Sequence, residues 1–262
     1  MCRYPGRLAL AFALLCASAG AVRAQTDYYN LDAGRPLRVE DALVIERHAF
    51  EWQLAPLRLT GARGRRVAFA AEPELAWGAL PRTQVELGVP IIAPRGGAIG
   101  AAGVELTALH ALNAETSTWP GLALRVGVHM PAGPHGPRST RSELAALATR
   151  TLTHGRVHVN AALHGGPTAG DPDATRWSAG LAVDHAFVIR SLLVGADLLV
   201  EDPVASGGSL RWSAATGLRL QVDPRSAIDL GAGRTMGENG EWFVTAGTAL
   251  SLGLLHRFGG VR

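Results

Sequence analysis

The stretch EPELAWGALPRTQVELGVPI, residues 72–91, decides the fold because its apolar side chains recur at every second position. Leu75 and Trp77 alternate with glutamate, alanine and glycine, and after a short break Val85 and Leu87 continue the same alternation. A period of two places alternate side chains on opposite faces of a β-strand. A soluble sheet would turn the apolar face toward a core, whereas a membrane barrel would turn it toward lipid.

The same alternation continues through most of the chain, from residue 49 to residue 258. It predicts about twelve strands, with ten to fourteen as the range. Two stretches are ambiguous: residues 143–153 fit a helix as well as a strand, and residues 37–49 fit a short helix.

The face opposite the apolar one distinguishes the two kinds of sheet, because about half of it is glycine and alanine. In a soluble sandwich this face would meet water and carry more charge, and a soluble lipocalin-like barrel is the other alternative. Short connections also alternate with longer ones rich in glycine, proline and aspartate, as in outer-membrane barrels. The sequence therefore predicts an all-β fold, an antiparallel transmembrane β-barrel with lipid against its apolar face. The small residues of the predicted inner face are Ala70, Ala76, Gly78, Gly88, Gly127, Ala162, Gly180, Gly195, Ala215 and Gly217.

The first 24 residues have the features of a secretory signal peptide. Arg3 and Arg7 give a positive start, an apolar run follows, and the sequence VRA resembles a cleavage site. Together with the barrel pattern, this export signal predicts the outer membrane as the location of the chain.

Cleavage after residue 24 changes the charge and the thiol content of the chain. Both cysteines, Cys2 and Cys16, would be lost, so the mature chain could form no disulfide. Arg3, Arg7 and Arg23 would also be lost, which leaves 22 of the 25 basic residues against 22 acidic ones. A formally neutral chain gives no support for a nucleic-acid partner.

The predicted organisation has four parts. Residues 1–24 form the signal peptide, residues 25–48 a periplasmic or lumenal segment, residues 49–258 the barrel, and residues 259–262 a tail. If the second part folds back as a plug, its candidate lumen contacts are Tyr28, Tyr29, Leu37 and Val39.

The end of the last strand, SLGLLHRF, resembles the closing pattern of outer-membrane proteins. Ser251, Gly253 and Phe258 fit that pattern, whereas His256 departs from it. The resemblance implies that the barrel-assembly machinery recognises this strand.

A longer resemblance is to outer-membrane transporters of the meta-pathway phenol-degradation type. It rests on GRPLRVEDALVIERHAFEWQLAP followed by EPELAWGALPRTQVELGVPI. The resemblance implies a channel for passive uptake of small, apolar or aromatic solutes, with no cofactor and no catalytic residues.

The polar side chains of the inner face are the candidate lumen and substrate residues. They are interpreted either as an internal salt-bridge ladder that makes a closed structural barrel, or as groups that select solutes. His158 and His164 are about 20 Å apart along a strand, so they cannot share a metal ion, and no metal site is predicted. The candidates are Glu51, Glu72, Glu74, Glu86, Arg125, His129, His158, Asn160, Asp197, Arg211 and Arg219.

A lipid-modifying hydrolase is the enzymatic alternative. Such a site needs a serine and a histidine within hydrogen-bond reach at lipid-facing positions near the barrel rim. Residues 138–143 supply serines in a loop, and His135 is nearby in sequence, but no catalytic residues are predicted.

Overall fold

The computed structural model describes residues 31, 35–167, 175–186, 191–202, 209–237 and 240–253. The predicted signal peptide and C-terminal tail lie outside these residues, as do Tyr28, Tyr29 and Phe258.

The described residues form fourteen strand segments in one antiparallel sheet. In chain order these are β1 (Ala49–Gly61), β2 (Ala68–Leu80), β3 (Thr83–Gly88), β4 (Ile91–Ala93), β5 (Gly100–Ala101), β6 (Val104–Asn113), β7 (Gly121–Met130), β8 (Arg141–Leu152), β9 (Gly155–Gly165), β10 (Arg176–Ala186), β11 (Leu192–Glu201), β12 (Arg211–Asp223), β13 (Ser226–Thr235) and β14 (Trp242–Gly253).

The sheet closes on itself because β1 pairs with both β14 and β2. Segments β3 and β4 both pair with β2, so they are two parts of one interrupted barrel strand. Segment β3 also pairs with β6 and β4 with β5, so β5 and β6 are the two parts of the next barrel strand. Fourteen segments therefore make twelve barrel strands, and the predicted all-β antiparallel barrel is confirmed.

The two interruptions face each other across neighbouring strands. Pro90 has no N–H to give to the ladder, and Gly103 adopts a φ of 126° that side chains rarely allow. The N–H of Ala102 still donates to the carbonyl of Pro90 over 2.7 Å, so the barrel wall stays continuous at this point. The sequence predicted one unbroken third strand here, and the proline explains the difference.

The alternation in the opening stretch has the orientation predicted for a membrane barrel. Leu75 and Trp77 are 39% and 40% exposed on the outside, whereas Ala76 between them is 0% exposed. Trp52, Leu87 and many other large apolar side chains are exposed in the same way. A continuous apolar outer surface is what a lipid-facing belt requires.

The connections differ in length at the two ends of the barrel. Residues 81–82, 153–154 and 224–225 form tight links at the end where β1 begins. At the opposite end, residues 131–140 form a longer connection. In outer-membrane barrels the short turns are periplasmic and the long loops are extracellular, which assigns the two ends of this barrel.

Neither of the two ambiguous stretches forms a helix. Residues 143–153 belong mainly to β8. Residues 37–48 are irregular, because backbone N–H groups such as that of Ala42 donate to barrel side chains instead of to a preceding turn. Among the described residues, none forms a helix long and apolar enough to cross a membrane.

Candidate functional site

Residues 35–46, here called the inner segment, run inside the barrel before β1 begins. Leu37 and Val39, both expected lumen contacts, are 0% exposed and pack with Leu193 and Ala182 of the wall. The far end of the segment emerges at the periplasmic end, where Leu43 is exposed. The inner segment therefore fills the part of the lumen that the wall side chains leave open.

The inner wall is rich in glycine where the inner segment lies against it. A Cβ at these glycines would collide with the segment, so their lack of a side chain makes room for it. The small residues predicted for the inner face thus provide the space that the inner segment occupies. The close approaches, measured from an ideal Cβ, are Gly180 to Val39 Cγ2 (2.5 Å), Gly195 to Leu37 Cδ1 (2.8 Å), Gly217 to Pro36 Cβ (2.6 Å) and Gly231 to the Pro36 carbonyl oxygen (2.6 Å).

Asn160 and Asp197, two predicted lumen residues, bind the backbone of the inner segment. With its side-chain amide oriented to satisfy both groups, Asn160 donates to the Glu40 carbonyl over 2.9 Å and accepts from the Glu40 N–H over 2.8 Å. Asp197 Oδ2 accepts from the Arg38 N–H over 2.5 Å. These side chains replace the partners that a regular secondary structure would supply to buried backbone groups.

His158 lies in a buried hydrogen-bonded chain that ends on the inner segment. The Ala42 N–H donates to Thr149 Oγ1 over 2.8 Å, and Thr149 Oγ1 lies 3.0 Å from His158 Nδ1. His158 Nε2 lies 2.9 Å from Asp184 Oδ2, which also accepts from Arg156 over 2.7 Å. The chain therefore links the backbone of the inner segment to the Asp184–Arg156 pair of the wall through Thr149 and His158.

Glu86 belongs to a third polar contact with the inner segment. The Ile45 N–H donates to Gln84 Oε1 over 2.8 Å, and the Gln84 amide donates in turn to Glu86. Thr107 donates to the other Glu86 oxygen over 2.5 Å. The carboxylate therefore orients the glutamine that holds the segment.

Ion pairs join the inner segment to the wall near the start of the segment. Arg219 Nε donates to Asp229 Oδ1 over 2.6 Å, and Arg219 Nη2 donates to the Arg35 carbonyl over 3.3 Å. The Arg35 guanidinium lies 3.6 Å from Glu51 and 3.9 Å from Asp229. Glu51 and Arg219 were predicted to lie in the lumen, and both belong to this buried network.

Arg125 connects the inner segment to the wall higher in the barrel. Its guanidinium lies 2.5 Å from Glu40 of the segment and 2.6 Å from Glu143 of β8. His164 Nδ1 lies 3.1 Å from the same glutamate. Sequence reasoning missed Glu40 because the fold of its segment is irregular, and it missed Glu143 because β8 also fitted a helix.

Phe243 is a lumen residue that the sequence did not suggest. The guanidiniums of Arg38 and Arg58 lie over its ring, 5.4 Å and 4.7 Å from the centroid. Burial lowers the pKa of the Arg38 guanidinium, and the nearby Asp197 acts in the opposite direction. The adjacent Trp242 faces outward, which by alternation would have identified Phe243 as an inner residue.

An open cavity of about 330 Å³ lies above the inner segment, toward the long loops. Five predicted residues line it: Glu72, Glu74, Glu86, Arg125 and His129. His129 Nδ1 lies 3.4 Å from Glu105, and its Nε2 lies 2.7 Å from the Ala102 carbonyl oxygen. The cavity is therefore polar and charged.

The structure divides the remaining predicted residues between two places. Glu51, His158, Asn160, Asp197 and Arg219 contact the inner segment or the side chains that hold it, whereas Arg211 lies at the exposed rim. There its guanidinium is 2.8 Å from Glu201. No group of three suitable side chains for a metal ion occurs among the described residues.

Comparisons with known proteins give structural similarity without sequence similarity. No family model matches the chain, and no curated protein matches it. The fold is similar to an outer-membrane channel from Pseudomonas putida F1, with a TM-score of 0.57, 12% identity, and coverage of 80% of this chain and 98% of that one.

Two porins are similar to a comparable extent. For the NanC porin the TM-score is 0.56 at 7% identity, over 76% of this chain and 98% of that one. For the KdgM porin in complex with disordered oligogalacturonate it is 0.51 at 8% identity, over 77% and 98%. These similarities establish the fold. The resemblance to the phenol-degradation type stays a prediction.

Proposed function

We propose that the chain is an outer-membrane channel for small solutes, closed in this state by its inner segment. The observation that carries the proposal is the inner segment itself, which fills the lumen below an open, charged cavity. Solutes would enter the cavity from the side of the long loops and pass when the inner segment moves.

The inner wall supports a channel over a purely structural barrel. A barrel that only needs rigidity can fill its interior with wall side chains, as barrels of about eight strands do. Here the wall carries glycine at Gly180, Gly195 and Gly217, and the filling comes from a separate stretch of chain. The three similar barrels are one outer-membrane channel and two porins, which agrees with the proposal.

The cavity lining favours small polar solutes. An apolar solute in the cavity would displace water from several carboxylates and guanidiniums of the wall without replacing the lost hydrogen bonds, which is unfavourable. The apolar or aromatic solutes implied by the phenol-type resemblance gain no support from this lining. We retain them as a comparison in the test.

The first test removes the inner segment. Deletion of residues 26–45 should raise the conductance of the purified protein in planar bilayers and the permeability of liposomes to small polar solutes. Slower migration after boiling in detergent should verify that both proteins are folded barrels. A folded deletion variant that leaves liposomes sealed, to polar and to aromatic solutes alike, would refute the channel and support the structural barrel.

The second test fixes the inner segment in place. An ideal Cβ at Gly180 lies 2.5 Å from Val39 Cγ2, so Val39→Cys with Gly180→Cys brings two sulfurs within bonding reach. Cys2 and Cys16 lie in the predicted signal peptide, so no other thiol would compete. The oxidised pair should conduct less than the wild type, and reduction should reverse the effect. Equal conductance of the oxidised, reduced and wild-type proteins would show that the segment does not move.

The hydrolase alternative has less support. Thr83 Oγ1 lies 2.9 Å from His110 Nδ1 on the outside of the barrel, which is the kind of contact such a site needs. Within the described residues, however, no carboxylate or amide is hydrogen bonded to His110 to orient it. His135, the other candidate, instead has its Nε2 2.8 Å from the Ala98 carbonyl oxygen.

A further inference from the structure

The cavity above the inner segment has one acidic wall and one basic wall. Glu72, Glu74, Glu86 and Glu105 come from β2, β3 and β6, which are neighbours in the sheet. The basic side chains come from β7 to β10, which also contribute Glu143, the partner of Arg125. Charges of opposite sign therefore face a shared space of about 330 Å³, a volume in the usual range of small-molecule sites.

The basic wall contains two arginines that have no partner among the described residues. Arg141 and Arg176 line the cavity, and neither makes a hydrogen bond or ion pair within the described part of the chain. The Nε atom of each is buried from solvent and has no acceptor. The two side chains are partly exposed, so the buried Nε–H of each is the unsatisfied group, and an anionic group bound in the cavity would supply its acceptor.

The acidic wall is not neutralised by these arginines. Arg125, the third arginine of the lining, is already shared between Glu40 and Glu143. Glu105 is approached by the His129 imidazole at 3.4 Å, a contact that carries charge only if the histidine is protonated. Glu86 accepts hydrogen bonds from Gln84 and Thr107, and Glu74 interacts with another group of the chain. Glu72 and Glu105 are therefore the lining carboxylates placed to meet a cation.

We propose that this cavity binds a zwitterionic solute, an α-amino acid or a short peptide. Its ammonium group would face Glu72 and Glu105, and its carboxylate would face Arg141 and Arg176. A planar guanidinium matches a carboxylate with two parallel hydrogen bonds, and a single ligand that carries both charges can contact both walls of the cavity at once. The inference deepens the proposed channel function by naming its solute class, and in that respect it rests on it.

The test measures binding separately from passage through the barrel. The full chain in detergent is equilibrated with labelled L-serine, with ethanolamine, which lacks the carboxylate, and with 3-hydroxypropionate, which lacks the ammonium group. L-Serine should bind at least about tenfold more tightly than either analogue, since each lacks one charged contact. Equal affinity for ethanolamine or for 3-hydroxypropionate, or no binding of serine, would overturn the proposal.

Variants locate the site. The pair Arg141→Gln and Arg176→Gln should reduce serine affinity to the level of ethanolamine, whereas Arg211→Gln, at the rim and outside the cavity lining, should leave it unchanged. A similar loss in Arg211→Gln would place the binding elsewhere. Because the comparison of the three ligands uses the unaltered protein, it decides the proposal even if a variant fails to fold.

The outcomes also separate this inference from the channel. If the full chain binds serine but the folded deletion variant leaves liposomes sealed, the channel is refuted and the zwitterion site is kept. Permeability of the deletion variant without any preference for serine binding in the full chain would keep the channel and refute the site.

Discussion

The buried pair of Arg219 and Asp229 gives the sharpest test of how the lumen charges stabilise the barrel. Their side chains are 1% and 2% exposed, and two hydrogen bonds of 2.6 Å and 3.2 Å join them. Removal of one partner from a buried pair costs about 3–5 kcal/mol, because the other charge is left unpaired. Arg35 still lies 3.9 Å from Asp229, so we expect Arg219→Ala to cost about 3 kcal/mol, the lower end of that range.

The assay is reversible urea unfolding of the barrel in detergent or lipid vesicles, followed by the change in electrophoretic mobility on folding. Arg63→Ala, in the exposed connection after β1, is the matched control and should be nearly neutral. The double variant Arg219→Ala with Asp229→Ala should lose less stability than the sum of the single variants. Equal effects of Arg219→Ala and Arg63→Ala would show that the facing of β12, and with it the buried network, is wrong.

Two further predictions concern the seat of the inner segment. Gly195→Val should raise conductance by displacing Leu37. Gly88→Val should not, because a Cβ there makes only ordinary contacts, 3.7 Å from Glu105 Cβ and 3.9 Å from the Pro73 carbonyl oxygen, and meets no atom of the inner segment. Equal conductance of the two variants would contradict the conclusion that the inner-wall glycines make room for the inner segment. Asn160→Ala removes both hydrogen bonds to the Glu40 backbone and should make single-channel openings more frequent; unchanged gating would show that this contact does not hold the segment.

The facing of the barrel strands could be predicted from sequence because it depends on a local pattern. A strand between lipid and lumen must alternate, so Leu75 and Trp77 identify the outside and Glu74 and Ala76 the inside without any knowledge of neighbouring strands. The same reasoning gives the inward position of Arg125. It works less well at β8, where small and apolar residues occupy both faces and Glu143 could not be assigned.

A lumenal position for the residues before β1 could be offered from sequence as one possibility. The individual contacts of the inner segment could not be predicted, because most of them join residues that are distant in sequence. The Ala42 N–H reaches Thr149, and the Arg38 N–H reaches Asp197, so neither hydrogen bond leaves a periodic signal in residues 35–46. The mixed spacing of Leu37, Val39 and Ala42 also fitted a short helix. Only the register of the surrounding strands shows which wall group meets each backbone group.

Glycine on the inner wall is a sequence feature from which only part of the lumen structure could be inferred. Small inner residues indicate that wall side chains do not fill the lumen, but they do not say what does. In the structure Gly180, Gly195 and Gly217 lie on three successive strands, β10 to β12, and follow Val39, Leu37 and Pro36 in reverse order along the inner segment. An open, water-filled pore would not require glycines at these positions, because water can fit against a wall of any shape. Three glycines matched to three nearby residues of the same chain, Pro36, Leu37 and Val39, indicate a lumen shaped around that segment. The conductance of Gly195→Val measures that relation directly.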